Sequence, residues 1–198
     1  MQATGKVGMA GLTPGARRVL DAASTLFYQH GIHAVGVEAI AAEAGVTKRT
    51  LYDRFESKDN LVVAYLHQRH ESWWARLEQR IADAEHPRVL AMFDAYAEEL
   101  LPAQRGCAFL NAAGELPADH PAFAVIREHK RSVKTRLLTL LNAELPEIEN
   151  AEALAEHLFL LLEGAVAHRG IEGSPPSLAK QARRIAQELL TQHAGKVL

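Results

Sequence analysis

The stretch from residue 36 to residue 61 constrains the fold more than any other part of the chain, because it combines helical patterns with a tight turn. In the first pattern, apolar residues recur at helical spacing, at Val37, Ile40, Ala41 and Ala44. Gly45 follows them and marks a helix end, and Thr47 is suited to cap a new helix. Leu51 and Phe55 lie four residues apart, so both face the interior. The pattern predicts two short helices joined by a tight turn and followed by a third.

The second short helix leaves polar and cationic side chains pointing outward. Together with one residue at the start of the next helix, the outward set is Thr47, Lys48, Arg49, Thr50, Tyr52 and Lys58. A short anchored helix with such residues suits the major groove of DNA. The alternative is an ordinary helical hairpin with a solvated face. However, solvation gives no reason for an outward aromatic ring at Tyr52. Lys58 lies at a helix N-terminus, where the macrodipole disfavours a cation unless a phosphate binds there.

This segment resembles the DNA-binding segment of the tetracycline-repressor (TetR) family of bacterial transcription regulators. The matching residues are Phe27, Gly31, Ile40-Ala41, Ala44-Gly45-Val46, Thr47-Lys48, Thr50-Leu51-Tyr52, Phe55, Ser57-Lys58 and Leu61. Two residues depart from the family pattern. Arg49 stands where the family often has glycine, and Asp53 stands where it often has an aromatic residue or histidine. Both lie on the recognition helix, so the resemblance does not identify the operator sequence.

The resemblance implies a homodimer that binds double-stranded DNA, with one recognition helix per subunit in successive major grooves of a palindromic operator. Tyr52 and Lys58 would contact phosphates, and Lys48, Arg49 and Thr50 would meet base edges or nearby phosphates. We therefore expect a ligand-responsive transcription regulator, a repressor released from DNA by a small molecule. The alternative is a small-molecule-binding helical protein or an enzyme in which the helix-turn-helix is incidental.

The rest of the chain shows helical periodicity without the alternation of strands, so the sequence predicts an all-α fold. The helical patterns begin at Thr13-Pro14 and end at Gly31, resume at 36–56, and continue at 57–86, 88–101, 106–116, 121–142, 151–170 and after Pro176. We expect a flexible N-terminal arm at 1–12 and a three-helix helix-turn-helix DNA-binding domain at 13–56. Residues 57–198 would form a helical effector-binding and dimerisation domain.

The balance of charge argues against a protein that binds polyanions indiscriminately, because the net charge is −2. Residues 1–60 carry seven Lys or Arg and six Asp or Glu, so their cations must be concentrated on one face to meet phosphates. The apolar stretch 158–162 is far too short to span a bilayer. The single cysteine, Cys107, cannot form a disulfide within the chain, which fits a cytoplasmic protein.

The pattern at 151–170 is apolar on two faces. One face carries Leu154, Leu158, Leu161 and Ala165, and the other carries Phe159, Leu162 and Val166. One apolar face packs on the helix's own core, whereas two faces require a second partner. The alternative is a helix buried on all sides within a monomer. We expect a homodimer through about residues 151–193, and the resemblance implies a four-helix bundle built from the last two helices of each subunit.

The middle of the chain supplies the residue types of a ligand cavity. The aromatic candidates are Trp73, Trp74, Phe93, Tyr96, Phe109 and Phe159, and the polar candidates are Asn111, Glu115 and His168. Aromatic walls with a few polar groups are typical of small-molecule sites. The alternative for each aromatic residue is an ordinary place in the core. We expect a largely apolar or aromatic effector with at least one hydrogen-bonding group.

Other site chemistries find little support in the sequence. His67, His70 and Glu71 share one helix at three- and four-residue spacings, but a solvated helix face is the simpler interpretation than a metal site. The chain has no nucleophile motif and no phosphate-cradling or dinucleotide-binding glycine loop. The alternative is a metal held by residues from several helices, with Glu115, His120, His129, His157 and His168 as the candidate ligands, and the sequence does not show whether they converge. We predict no catalytic residues, no metal and no cofactor.

Overall fold

The computed structural model describes residues 11–97, 105–172 and 177–194, in which helices are joined by short connections. The helices are α1 (Pro14–His30), α2 (Val37–Glu43), α3 (Lys48–Phe55), α4 (Lys58–Asp83), α5 (Val89–Ala97), α6 (Ala108–Glu115), α7 (Ala122–Glu144), α8 (Ala151–Glu172) and α9 (Ser177–Ala194). The described residues contain no strand, so the predicted all-α class is confirmed. Residues 1–10 of the predicted arm and the predicted end of α5 near Pro102 lie outside the described residues.

Capping residues set both ends of α1, as the sequence predicts. The Thr13 Oγ1 accepts a hydrogen bond from the Ala16 backbone N–H at 3.3 Å, and Pro14 occupies the first helical position. At the other end, the Gly31 N–H donates to the Phe27 carbonyl at 3.0 Å. Gly31 has a φ of 91°, a conformation that favours glycine. The chain therefore turns away from the helix at this residue.

The turn between α2 and α3 also has the predicted chemistry. Gly45 has a φ of 61°, and its N–H donates to the Ala42 carbonyl at 3.1 Å. The next N–H, of Val46, donates to the Ala41 carbonyl at 3.0 Å. These two bonds satisfy carbonyls that the end of α2 leaves open. Val46 is directly followed by Thr47, the cap of α3, so the two helices are joined by a minimal connection.

The helices form two compact units. Among the described residues, the first unit comprises 11–71 and 111–126, and the second comprises 72–97, 105–110, 127–172 and 177–194. In the first unit α1, α2 and α3 pack against one another, and in the second unit α5, α8 and α9 do so. Residues 57–71 and 111–126, which the sequence analysis groups with the C-terminal domain, pack with the N-terminal helices.

The core of the first unit anchors α3. Its fully buried side chains include Val19, Leu20, Ala23, Phe27, Ile40, Leu51, Phe55, Leu61 and Leu66. Leu51 is 0% exposed and Phe55 is 2% exposed, which confirms that these two residues face inward. Full burial of one such side chain contributes about 1.5–3 kcal/mol. Two anchors on a helix of 8 residues hold its opposite face toward solvent.

The buried stripe of α8 crosses both of the predicted apolar faces. The buried stripe is Leu154, Leu158, Leu162 and Val166, with Ala155 beside it. Leu161 and Ala165, which the prediction places with Leu154, are only half-buried, as is Phe159. The buried stripe thus takes residues from both predicted faces, because α8 is apolar nearly all round and spacings of three and of four both give plausible stripes. In α9, Ala182, Ala186 and Leu190 are buried, whereas Leu178, Ile185 and Leu189 are half-buried.

Among the described residues, the helices fall short of the length and apolar character that crossing a bilayer requires.

Candidate DNA-binding surface and effector cavity

The N-terminal turn of α3 is fixed by its own hydroxyl groups. The Thr47 Oγ1 accepts a hydrogen bond from the Thr50 backbone N–H at 3.2 Å. The Thr47 and Thr50 hydroxyl oxygens are 3.1 Å apart, so one hydroxyl donates to the other. Both residues are exposed. Thr47 therefore has a structural role as the cap of α3, in addition to its predicted place on the outer surface.

The two cations at the start of α3 have different surroundings. Lys48 Nζ lies 2.7 Å from Glu38 Oε1 of α2, and both side chains are exposed. The hydrogen bond between them lowers the pKa of Glu38 and raises the pKa of Lys48. Arg49 Nε lies 3.8 Å from Asp53 Oδ2, one turn along the same helix, and its side chain is 89% exposed. Lys48 is therefore held by a short ion pair, whereas Arg49 projects into solvent.

Tyr52 and Lys58 flank this surface. Tyr52 is 41% exposed, one of the few large hydrophobic side chains among the described residues that are open to solvent. Lys58 is the first residue of α4, and its Nζ lies 5.9 Å from the centroid of the Phe27 ring. The Ser57 Oγ accepts from the Asn60 N–H at 3.0 Å and caps α4. Lys58 therefore lies at a helix N-terminus, where the helix dipole favours an anion.

Glu115, a predicted ligand residue, is hydrogen-bonded to another residue of the first unit. Its Oε2 accepts a hydrogen bond from the His33 backbone N–H at 3.0 Å, in the connection between α1 and α2. The His33 ring Nε2 also contacts the Glu115 carbonyl oxygen. An added Cβ at Gly31 would lie 3.0 Å from Glu115 Oε2, so the carboxylate lies close against the glycine. Sequence reasoning missed this contact because the residues it joins are far apart in the chain.

An aromatic cluster joins three of the predicted ligand residues in the second unit. The Trp73 ring lies 5.2 Å from the Tyr96 ring, in an edge-to-face arrangement, and 5.2 Å from the His129 ring. The His129 ring in turn stacks on Phe109, with 3.7 Å between centroids and 7° between the planes. His129 is 3% exposed. The sequence analysis did not select it for the aromatic walls, although it is a histidine on an otherwise apolar helix face.

The other predicted ligand residues lie on α4, α5, α6 and α8. Phe93 is buried in α5, and Phe159 and His168 are half-buried on α8. Asn111 belongs to the first unit, as Glu115 does. The predicted set is therefore divided between the two units, and the cluster around His129 contains Trp73, Tyr96 and Phe109.

A cavity of about 1000 Å³ lies in the second unit. The second half of α4, the α4–α5 connection, α5 and α9 line it, and Trp73 is the predicted ligand residue on its wall. Its lining mixes apolar side chains such as Leu77 and Leu90 with charged ones. Arg183 Nε of α9 lies 2.7 Å from Asp94 Oδ1 of α5, and this ion pair joins two walls of the cavity.

In the described part of the chain, no three His, Cys, Asp or Glu side chains come together in a way that could hold a metal ion. Cys107 is buried in the second unit, with its Sγ 3.7 Å from Lys130 Nζ. Burial raises the pKa of this thiol, so it is protonated at neutral pH.

Sequence comparisons match the helix-turn-helix region. The family model described as "Bacterial regulatory proteins, tetR family" matches residues 19–65. The chain is 38% identical over 72 residues to the HTH-type transcriptional regulator MT1294 of Mycobacterium tuberculosis, a match that covers 36% of each protein. It is 49% identical over 53 residues to the transcriptional activator FasR of Mycolicibacterium smegmatis, covering 27% of this chain and 24% of FasR. The chain therefore matches only about a third or less of the length of these relatives.

The structural comparison extends over nearly the whole chain. The crystal structure of SCO4454, a TetR-family transcriptional regulator from Streptomyces coelicolor, superposes with a TM-score of 0.82. The two sequences are 30% identical, and the match covers 91% of this chain and 96% of SCO4454. Likeness of both fold and sequence over this length cannot come from a shared DNA-binding segment alone. The chain belongs to the TetR family of transcriptional regulators.

Proposed function

We propose that this regulator is a homodimeric repressor that binds a palindromic operator and leaves it when a small molecule binds. The observation that carries the proposal is α3 itself. Leu51 and Phe55 fix one side of the helix in the core, and the other side presents cations, hydroxyls and a phenol to solvent. Such a helix fits a major groove, and two copies related by a twofold axis fit two half-sites. Because a transcription regulator works on the chromosome, we place the protein in the bacterial cytoplasm.

We divide the DNA contacts according to where the side chains lie. Lys58, at the dipole of α4, and Tyr52 would bind phosphates and set the position of α3. Lys48, Arg49 and Thr50, on the exposed N-terminal turn of α3, would meet base edges or nearby phosphates. Thr47 would contact DNA with the hydroxyl that caps the helix.

The dimer would form through α8 and α9, within about residues 151–193. On α8, Leu160 is 66% exposed and Ile171 is 78% exposed, and Phe159 is half-buried. On α9, Ile185 and Leu189 are half-buried. Apolar side chains that remain partly open after one face of each helix has packed favour burial against a second subunit.

The effector site would be the aromatic cluster and the adjoining cavity of the second unit. Trp73 belongs to both, and a volume of about 1000 Å³ accommodates a small organic molecule. We propose a largely apolar or aromatic effector with a hydrogen-bonding group. Glu115 is left out of this site because its carboxylate accepts from the His33 backbone. The effector would favour a conformation in which the two α3 helices no longer reach both half-sites together.

The test is a gel shift against the DNA that flanks the protein's own gene. We expect one fragment to be retarded at low salt and released by an effector found in a ligand screen. Failure of every fragment to bind would favour the alternative of a small-molecule-binding protein or enzyme. Because FasR is an activator, the second step is a transcription assay on the bound promoter. A repressor lowers the amount of transcript. A rise would make this protein an activator instead.

A further inference from the structure

Lys48 of α3 is held by an acid on the neighbouring helix α2. The distance from Lys48 Nζ to Glu38 Oε1 is 2.7 Å, and the two side chains are 53% and 68% exposed. Exposed ion pairs contribute little to folding stability, because solvent screens them and two flexible side chains must be ordered. Folding stability therefore does not explain why this ion pair is present. The pair lies on the surface that we propose binds DNA.

Glu38 lies close to the backbone on its other side. An added Cβ at Gly36, the residue before α2, would lie 3.2 Å from Glu38 Oε2. Gly36 has a φ of −81°, which any residue can adopt, so its backbone does not require glycine. The absent side chain leaves room for the carboxylate to fold back over the start of α2. One carboxylate oxygen thus lies near Gly36 while the other binds Lys48.

We propose that Glu38 is a specificity-determining residue, which holds Lys48 so that its ammonium reads a base edge instead of binding any phosphate that approaches. This inference rests on the proposed function, in which α3 binds operator DNA. A free lysine is a flexible point charge that binds phosphates of every sequence. When one of its three N–H donors is taken by Glu38, two remain for acceptors such as guanine O6 and N7.

Arg49 provides the contrast on the same turn. Its nearest acid, Asp53, lies at 3.8 Å, and its side chain is 89% exposed. The guanidinium can therefore turn toward phosphate or base without breaking a short ion pair. Of the two adjacent cations, Lys48 is the one whose position is fixed before DNA arrives.

The experiment compares Glu38→Gln with Glu43→Gln. Both residues are exposed on α2, and both substitutions remove one negative charge, but the ion pair with Lys48 is formed by Glu38. The dissociation constants for a selected operator and for an unrelated duplex are measured against salt by fluorescence anisotropy. For Glu38→Gln we expect tighter binding of the unrelated duplex and a salt slope steeper by about 0.9. The specificity ratio, which is the affinity for the operator divided by the affinity for the unrelated duplex, should fall about tenfold. Glu43→Gln should leave this ratio unchanged.

Two further variants test whether Glu38 acts through its ion pair with Lys48 or through its charge alone. Glu38→Asp keeps the charge but shortens the side chain, and we expect it to lower the same ratio. In a Lys48→Met background, Glu38→Gln should have no further effect on the ratio. A continued effect there would mean that Glu38 contacts DNA by itself, which would overturn the holding role. Thermal unfolding should be nearly the same in all variants, since the substituted residues are exposed.

The outcomes distinguish this inference from the proposed function. If the wild type selects a sequence but Glu38→Gln and Glu43→Gln give equal ratios, only the role of Glu38 is overturned. If the wild type selects no sequence, both are overturned. A readout without DNA is the NMR titration of the Glu38 carboxyl, whose pKa should lie below its ordinary value and rise in Lys48→Met. An unchanged pKa in that variant would show that the pair does not form in solution.

Discussion

Lys58 combines two features at the start of α4 that suit a phosphate contact. It lies at the N-terminus of a helix of 26 residues, and its ammonium is 5.9 Å from the Phe27 ring. We predict that Lys58→Ala weakens binding to every DNA sequence alike and reduces the salt slope by about 0.9. Titrations of operator and unrelated DNA at several salt concentrations check this. Lys180→Ala, an exposed lysine on α9, is the control and should leave the slope as it is. A loss confined to the operator would instead make Lys58 a base-reading residue.

Two glycines give a matched prediction about stability. At Gly31 the φ of 91° and the carboxylate 3.0 Å from an added Cβ both oppose a side chain. We predict that Gly31→Ala lowers the free energy of unfolding by about 1–2 kcal/mol. At Gly114, within α6, an added Cβ would meet nothing within 4 Å. Gly114→Ala should therefore raise the free energy of unfolding by about 0.5–1 kcal/mol. Urea unfolding of the two variants checks the signs, and destabilisation by Gly114→Ala would contradict the open surroundings of that residue.

Local residue chemistry could be predicted from the sequence, but contacts between distant residues could not. Thr13, Gly31 and Thr47 are recognisable caps because their roles depend on neighbouring backbone groups. The contact of Glu115 with the His33 backbone joins residues 82 positions apart, and no periodic pattern carries that information. The pair of Glu38 and Lys48 spans 10 positions and two helices. Both contacts depend on how helices pack, and the structure was needed to find them.

At the scale of whole elements, amphipathic helices were easier to predict than apolar ones. The short helix α3 has a clear inner face, so its two anchors and its outward residues followed from spacing alone. The longer helix α8 is apolar nearly all round, and its buried stripe combines Leu154 and Leu158 of one predicted face with Leu162 and Val166 of the other. For such a helix, the inward stripe is decided by the shapes of its neighbours in the core.

The apolar residues of α9 give a prediction about assembly. Leu189 is half-buried within the subunit, so a glutamate there can be solvated in a monomer but would be buried without a partner in the proposed dimer. We predict that Leu189→Glu gives a folded monomer that no longer binds the operator. Thr191→Glu adds the same charge at an exposed position on the side of α9 opposite Leu189 and should remain a dimer. Sedimentation velocity at micromolar concentration measures both.

Leu158 makes a different prediction on the neighbouring helix, because it is 0% exposed within its own subunit. A glutamate at this position should unfold the subunit instead of only separating the dimer. A dimeric Leu189→Glu variant with normal operator binding would contradict the proposed interface.

At the scale of the whole molecule, the proposed effector site depends on Trp73, which belongs both to the aromatic cluster around His129 and to the lining of the cavity. The adjacent Trp74 is half-buried and does not line the cavity. For any ligand that raises the melting temperature, we predict that Trp73→Phe reduces the shift and that Trp74→Phe retains it. Glu115→Ala should also retain it, because that carboxylate binds the α1–α2 connection. If Trp73→Phe and Trp74→Phe respond equally, the effector site lies elsewhere.

The central claim is that two copies of α3 read one operator. The measurement that tests it most directly selects duplexes from a random pool and then determines, by sedimentation with the selected duplex, how many subunits bind. We predict an inverted repeat with half-sites about one helical turn apart, bound by two subunits. A pool in which no sequence is enriched at low salt, or a single unrepeated site bound by one subunit, would contradict it.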